Sequence, residues 1–352
     1  MNERPDFTQM SCPLPIMDHD TVQLAHGAGG RLSAELIGKL ILPRFACAEL
    51  NKLEDQAVLN LPPGRVAFST DTFVVDPIFF PGGDIGDLAV NGTVNDVAMS
   101  GARPLALSVG FVLEEGLPLA DLHRILCSME LAARTAGVRM VTGDTKVVGR
   151  GSCDKIFINT SGLGVIPEGV SLSAASLQPG DAVIISGTLA DHGMAIMSRR
   201  EGLSFAADIR SDTAALNDLV RALLDSGAAV RALRDPTRGG LATTLNEFAT
   251  AGKVGIVLDE EEIPVRDDVR GACEILGIDP LYVANEGKLA AVVRSEDAEK
   301  ALTALRAHRL GGQARIIGRV RAEHPGLVAM LTALGAERIV DMPVGEQLPR
   351  IC

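Results

Sequence analysis

The stretch RVAFSTDTFVVDPIFFPGGDIGDLAVNGTVNDVAMSGARPLALSVGFVL, residues 65–113, decides the fold class. Its opening RVAFSTDTFVV is rich in β-branched and aromatic residues, as a strand is; IGDLAVNGTVNDVAMSGA reads as a helix and LALSVGFVL as a second strand. The alternation continues outward through the helix LADLHRILCSMELAARTAG and the strands RMVTGDTKVV and KIFINTSGLGVI, as far as about Pro167. A second series starts at Asp181 with the strand AVIISG. It runs on through the helix TAALNDLVRALLDSG, the loop and helix DPTRGGLATTLNEFATAG, strand GIVLD, helix VRGACEILG, strand KLAAVVR, helix DAEKALTALRAH and strand ARIIGRV. The mixture predicts an α+β protein of two similar-sized lobes with a cleft between them. The segment SAASLQPG, rich in small residues, reads as the linker.

The predicted organisation is a mobile extension over 1–21, a first domain over 22–168, a second over 175–342, and a flexible tail over 343–352. A chain of 352 residues that is 47% hydrophobic and 22% charged can bury a large core. A net charge of -12 with 3% aromatic residues and no Trp argues against nucleic acid, which calls for basic patches and stacking rings. Neither a membrane-spanning run nor a signal-peptide pattern is present in the sequence, so a cytoplasmic location with no membrane partner is expected.

Cysteines stand at positions 12, 47, 127, 153, 273 and 352 with no CxxC or Cys/His cluster, which signals neither a zinc site nor a disulfide framework. Cys127 and Cys273 fall in helical patterns and read as core residues. Cys352 differs by position, because it ends the chain. The segment PVGEQLPRIC before it has no periodicity and reads as an extended arm able to move a sulfur on the order of 30 Å.

Carboxylates recur where strands are expected to meet helices: Glu54 and Asp55 in EDQAV, Asp71 in STDTF, Asp96 in VNDVA and Asp144 in TGDTK. Converging from separate segments, such oxygens suit a hard divalent cation bound to a nucleotide's phosphates. Asp84 and Asp87 read as capping residues. The runs HGAGG and FPGGDIG would let backbone amides approach phosphate, and the chain contains no P-loop pattern.

The blocks HGAGG, EDQAV, STDTFVVDPIFFPGGDIGDLAVNGTVNDVAMSGA, GFVLEEGL, VTGDTKVV, FINTSGLG, SGTLADHG, RDPTRGGLA, ANEGKL and the terminal PRIC resemble, in order, the HypE family of hydrogenase maturation factors. That family lies in the ATP-binding superfamily of aminoimidazole ribonucleotide synthetase, selenophosphate synthetase and thiamine monophosphate kinase. The resemblance implies a two-domain PurM-like (AIRS-like) fold, with an N-terminal ATP-binding and dimerisation domain and a C-terminal α/β sandwich. It implies a homodimer with ATP and Mg2+ in the cleft close to the partner subunit. Asp55, Asp71, Asp96 and Asp144 are then on metal and phosphates, with Thr93 and Asn95 nearby. Superfamily relatives often place two aspartates where this chain has Glu54 and Asp55.

The implied activity is the ATP-dependent dehydration of a carbamoyl group on Cys352 to a thiocyanate, which supplies the cyanide ligand to the iron of [NiFe] hydrogenases. The carbamoyl group comes from HypF, and the HypC–HypD complex accepts the cyanide. Matched to the family motifs, Lys146 stabilises phosphate charge and Glu286 is the base. Arg238 is expected at phosphate or tail, and His192 in ADHG reads as a structural histidine. Two other readings fit less well. A selenophosphate synthetase expects a reactive Cys with a lysine partner near the N-terminus, which HGAGG lacks, and a non-enzymatic thiol carrier would not hydrolyse ATP.

Overall fold

The computed structural model describes residues 14–202, 208–345, 348 and 350–352. The first lobe comprises α1 (Arg31–Leu36), α2 (Leu42–Phe45), β1 (Arg65–Phe73), β2 (Phe79–Phe80), β3 (Gly83–Asp84), α3 (Ile85–Met99), β4 (Arg103–Glu114), α4 (Leu119–Ala136), β5 (Arg139–Val148) and β6 (Ile156–Ile166). Its main sheet has the order β1-β6-β4-β5. Only β4 and β5 pair in parallel, with α4 as the crossover between them.

Helices α3 and α4 cover one face of this sheet. Side chains alternate between faces, so register sorts them. Thr160, which is buried and bonds the Ala89 carbonyl, marks the helix-covered face, and Asp71 pairs with it. Thr72, Asn159, Gly110 and Asp144 form the next row across and so point to the opposite face. No helix of the described residues covers that face. Val66 and Phe68 on it are 47% and 67% exposed.

Helix α3 is buried at every position but Asp96, which fits its apolar character all round. Asp84 caps it, accepting the N–H groups of Gly86 and Asp87 and the hydroxyl of Ser128. Asp87 accepts the N–H of Asp84 at 2.6 Å, and both carboxyls are fully buried. Burial pushes Asp84 up to about 6; burial, then the neighbouring Asp84 charge, raises Asp87 well above the carboxylate range. A carboxyl whose pKa is raised by folding makes the native state the better proton binder, so stability falls as pH rises from the unfolded value toward the folded one. Asp87→Asn keeps the acceptor and removes the charge. It is expected to raise the thermal midpoint at pH 8 and to gain little at pH 4; equal shifts at both would count against the raised Asp87 pKa.

The second lobe comprises β7 (Ala182–Ile185), α5 (Asp191–Arg200), α6 (Asn217–Asp225), β8 (Val230–Arg234), α7 (Gly240–Gly252), β9 (Gly255–Asp259), α8 (Asp267–Leu276), β10 (Ala290–Val293), α9 (Ala298–Ala307), β11 (Arg315–Arg321), β12 (Val328–Leu331) and β13 (Glu337–Ile339). Its sheet order is β13-β12-β9-β11-β7-β10-β8. β7 and β10 are buried at every residue, as strands covered on both faces must be. On one side Leu219 and Leu223 of α6 pack with Leu302 and Leu305 of α9, and on the other Leu241, Leu245 and Phe248 of α7 do so.

The lobes are not independently cored. Met194 and Ala195 of α5, Val283, and Ile351 near the chain end join the apolar cluster of the first lobe. Most long elements match the sequence reading; the short α1, α2, β2 and β3 carry no expectation there, and further differences follow. Helix α5 was unassigned, because Gly193 interrupts its pattern; that glycine is required where the backbone crowds Val283. The helix expected from Thr213 starts only at Asn217, since Asn91 and Asn95 pin residues 213–216 as an extended loop. β12 and β13 are too short to announce themselves. Residues 1–13 of the predicted extension lie outside the described residues, and Thr21 already bridges Pro118.

Candidate active site

The site is assembled where the end of the chain meets the end of β1. The N–H groups of Val74 and Asp76 donate to the carbonyls of Cys352 and Arg350, at 3.1 and 3.3 Å, so the last residues lie antiparallel to the segment after β1. Ile351 is buried in the first lobe's core. Cys352 thereby lines a cavity of about 470 Å³ together with Asp71, Thr72, Arg238, Thr243 and Tyr282.

Four acidic groups gather around this region. Asp71 comes from β1, Asp96 from the one unburied position of α3, Asp235 from the loop after β8, and Glu286 from the loop before β10. Asp96 accepts the Ser69 hydroxyl at 2.9 Å, and burial, then the Asp71 charge, pushes it up to about 6. Burial and the charge of Asp96 push Asp235 up to about 7. Glu286 is 2% exposed, its Oε1 accepts no hydrogen bond, and burial, followed by the charges of Asp235, Asp212, Asp71 and Asp96, raises it well above the carboxylate range.

The backbone around Glu286 is fixed from both lobes. Asp212 accepts the N–H groups of Glu286 and Gly287 at 3.1 and 3.2 Å and the Lys288 ammonium at 2.9 Å. Position 287 must be glycine, since a Cβ would overlap the Asp212 carbonyl. From α3, Asn95 donates to the Glu286 and Ala214 carbonyls. Burial favours the neutral form of this rigidly held carboxyl, and its Oε1 is left without a partner.

The other residues marked in the sequence sort differently. Asp96 lies inside a helix and Asp71 and Asp144 inside strands, not at the element junctions expected. Thr93 and Asn95 are fully buried, with Thr93 on Thr160 and Asn95 on the Glu286 and Ala214 carbonyls. Asp144 and Lys146 pair at 2.8 Å on β5, and the Lys146 bond holds Asp144 below the usual range. They border a second cavity with His26, Gly27 and Gly29 of the HGAGG run and with Glu54. Three strand spacings, about 14 Å, and the thickness of the sheet separate them from Asp71 of the same chain. Asp55 is exposed on a loop. Among the described residues no three His, Cys, Asp or Glu side chains are close enough to hold a metal ion by themselves.

Sequence reading missed Asp235, Asp212 and Lys288. Asp235 and Lys288 stood in blocks already singled out, DPTRGG and ANEGK, while Asp212 had no motif to mark it.

Residues 53–166 match the AIR synthase related protein N-terminal domain, and residues 178–329 match the C-terminal domain of the same family. The carbamoyl dehydratase HypE of Azotobacter vinelandii is 56% identical over 94% of this chain and 97% of its own length. A solved hydrogenase maturation protein HypE in complex with ATP is 53% identical, with a TM-score of 0.90, covering 94% of this chain and 99% of that one. The HypE of a solved HypE–HypF complex is 50% identical with a TM-score of 0.77, covering 88% of this chain and 99% of that one. The chain therefore belongs to the AIR synthase related family. Within that family it is one of the carbamoyl dehydratases HypE, whose solved members are hydrogenase maturation proteins.

Proposed function

We propose that Cys352 carries the carbamoyl group, that ATP occupies the cleft beside it, and that Asp71, Asp96, Arg238 and Glu286 of the same chain act with Lys146 of a second copy. The observation that supports this most is the seating of the terminal residue in one cavity with Asp71 and Arg238. The ATP complex of the 53% identical HypE supports nucleotide binding.

The carbamoyl oxygen attacks the γ-phosphorus, the bond to ADP breaks, and one N–H proton is lost. The C–O bond then breaks, phosphate leaves with that oxygen, and the second N–H proton departs, giving S–C≡N, ADP, phosphate and one net proton. Glu286 has the burial and orphaned oxygen of a base for these protons once its proton is drawn off, and Asp235 is the charge that most favours its neutral form. Arg238, which lines the cavity with Cys352, would offset charge on the leaving phosphate.

Asp71 and Asp96 offer hard oxygen donors, and Mg2+ characteristically takes one or two carboxylates and completes its shell with phosphate oxygens and water, so the pair fits it without a third protein ligand. A bound Mg2+ would offset phosphate charge and draw the neighbouring carboxyl pKa values back down, Glu286 included. Lys146 cannot reach its own chain's cleft, since it faces the other side of the sheet. The uncovered face bearing Val66 and Phe68 is the surface on which a second copy would bring its own Lys146 and Asp144 to the site. HypF as carbamoyl donor is supported by the HypE–HypF complex of the 50% identical relative. HypC–HypD is the proposed cyanide acceptor, and a cytoplasmic setting suits these partners.

Incubation with HypF, carbamoyl phosphate and ATP, followed by mass spectrometry of the C-terminal peptide, tests the reading. Cys352 is expected to gain a carbamoyl group and then lose one water. A carbamoylated chain that hydrolyses ATP without losing water would remove the dehydration from this cleft. Asp96→Asn is expected to weaken Mg-ATP binding at least tenfold by calorimetry with the fold retained, and unchanged affinity would take Asp96 out of the nucleotide site.

A further inference from the structure

The backbone carbonyls of the chain end are held by side chains of α5 that the chemistry above does not use. His192 is fully buried on α5, and its Nε2 lies 2.8 Å from the Ile351 carbonyl. That oxygen can only accept, so Nε2 carries the proton. Nδ1 must then accept, and it does so from the Ser211 hydroxyl at 2.8 Å, whose oxygen in turn takes the Thr213 N–H at 3.1 Å. Burial lowers the imidazole pKa, which keeps the ring in this neutral tautomer. The ring also stands edge-on to Phe80.

A second hold acts one residue earlier. The Arg200 guanidinium donates at 2.8 Å to the Arg350 carbonyl while bonding the Asp76 carbonyl. Arg350 itself pairs with Asp154 at 2.6 Å and donates from Nε to the Val74 carbonyl at 3.1 Å. Successive carbonyls of Arg350 and Ile351 are thus each taken by a side chain of α5, and the sulfur is one residue further on.

We propose that His192 is a positioning residue for the reaction: with Arg200 and Asp154 it forms a docking subsite that reads the chain's own Arg350-Ile351 segment and fixes where the Cys352 thiol rests. The subsite is coupled to the base, because the loop that supplies Ser211 also supplies Asp212, which holds the Glu286 backbone. Seating the tail and orienting Glu286 therefore use one loop. The ADHG block, read from the sequence as structural, acquires a specific ligand in the protein's own terminus.

The inference rests on the proposal that Cys352 is the reacting thiol, yet its test reads docking alone. The rate of Cys352 alkylation by iodoacetamide is followed on the full chain by mass spectrometry of the C-terminal peptide, with the buried Cys127 and Cys273 as internal reporters of unfolding. His192→Phe fills the ring space and removes the donor, and is expected to speed alkylation about three- to tenfold, the range one lost hydrogen bond supports. His192→Gln, which retains an N–H donor, is expected to recover most of the protection. Asp154→Asn, at a carboxylate 61% exposed and so outside the core, is expected to speed alkylation about twofold or more without moving the reporters. If His192→Phe also exposes Cys127 and Cys273, the Asp154 variant decides. Alkylation at the wild-type rate in both, or equal acceleration by the Phe and Gln variants, overturns the docking role. Loss of docking with normal ATP affinity separates this result from a failure of the nucleotide proposal.

Discussion

Mixing Lys146→Ala chains with Glu286→Gln chains is expected to restore about a quarter of wild-type turnover, although each variant alone is expected to lose roughly 10²–10⁴-fold. The reason is the sheet. Lys146 and Asp71 sit on opposite faces and three strands apart, so one chain cannot bring both to one phosphate. If the lysine is delivered from a second copy, half of the randomly formed dimers are mixed. Each mixed dimer contains one site with both defects and one with neither, which gives about half of a half. Both substitutions leave the fold alone: Lys146 is exposed, and glutamine replaces a carboxyl that burial already favours in neutral form. Turnover is read as loss of water from the carbamoylated C-terminal peptide after the two chains are unfolded and refolded together. A mixture as inactive as its parents would place Lys146 in its own chain's chemistry or outside it altogether.

Cys352→Ala is expected to abolish turnover outright, since among the described residues no other thiol lines the cavity. Cys127, Cys153 and Cys273 are buried elsewhere, and burial pushes the latter two up to about 11. ATP affinity and thermal midpoint are expected to stay near wild type, because the hydrogen bonds that seat the last residues use backbone atoms, which alanine retains. Hydrogenase activity in cells lacking their own maturation factor reads the outcome. Normal maturation by this variant would make the cysteine incidental, and so would full activity of a chain lengthened by a few residues past Cys352.

Period and composition made the architecture legible: a buried α3, two fully covered central strands and the order of the long elements all follow from runs of apolar residues. Position made Cys352 legible, and block resemblance brought Asp71, Asp96 and Glu286 forward. What the sequence hid was convergence. Asp144 and Lys146 look equivalent to Asp71 along the chain, and only strand order and side-chain parity show that they face away from it. Asp212 stayed hidden because its work is done by two backbone amides and one lysine, none of which leaves a mark at its own position. His192, read as structural, is buried and bonded at both ring nitrogens; what the sequence hid is that one partner is a carbonyl at the far end of the chain.

Because the final residues are aligned by backbone pairing with the segment after β1, the sulfur's direction is a matter of phase. Neighbouring side chains of an extended chain point to opposite sides. One residue inserted between the Ile351 anchor and the cysteine would leave a chain long enough to arrive but with its thiol turned away. The terminus therefore works like a key cut from its tip: its last teeth are fixed in number and in phase.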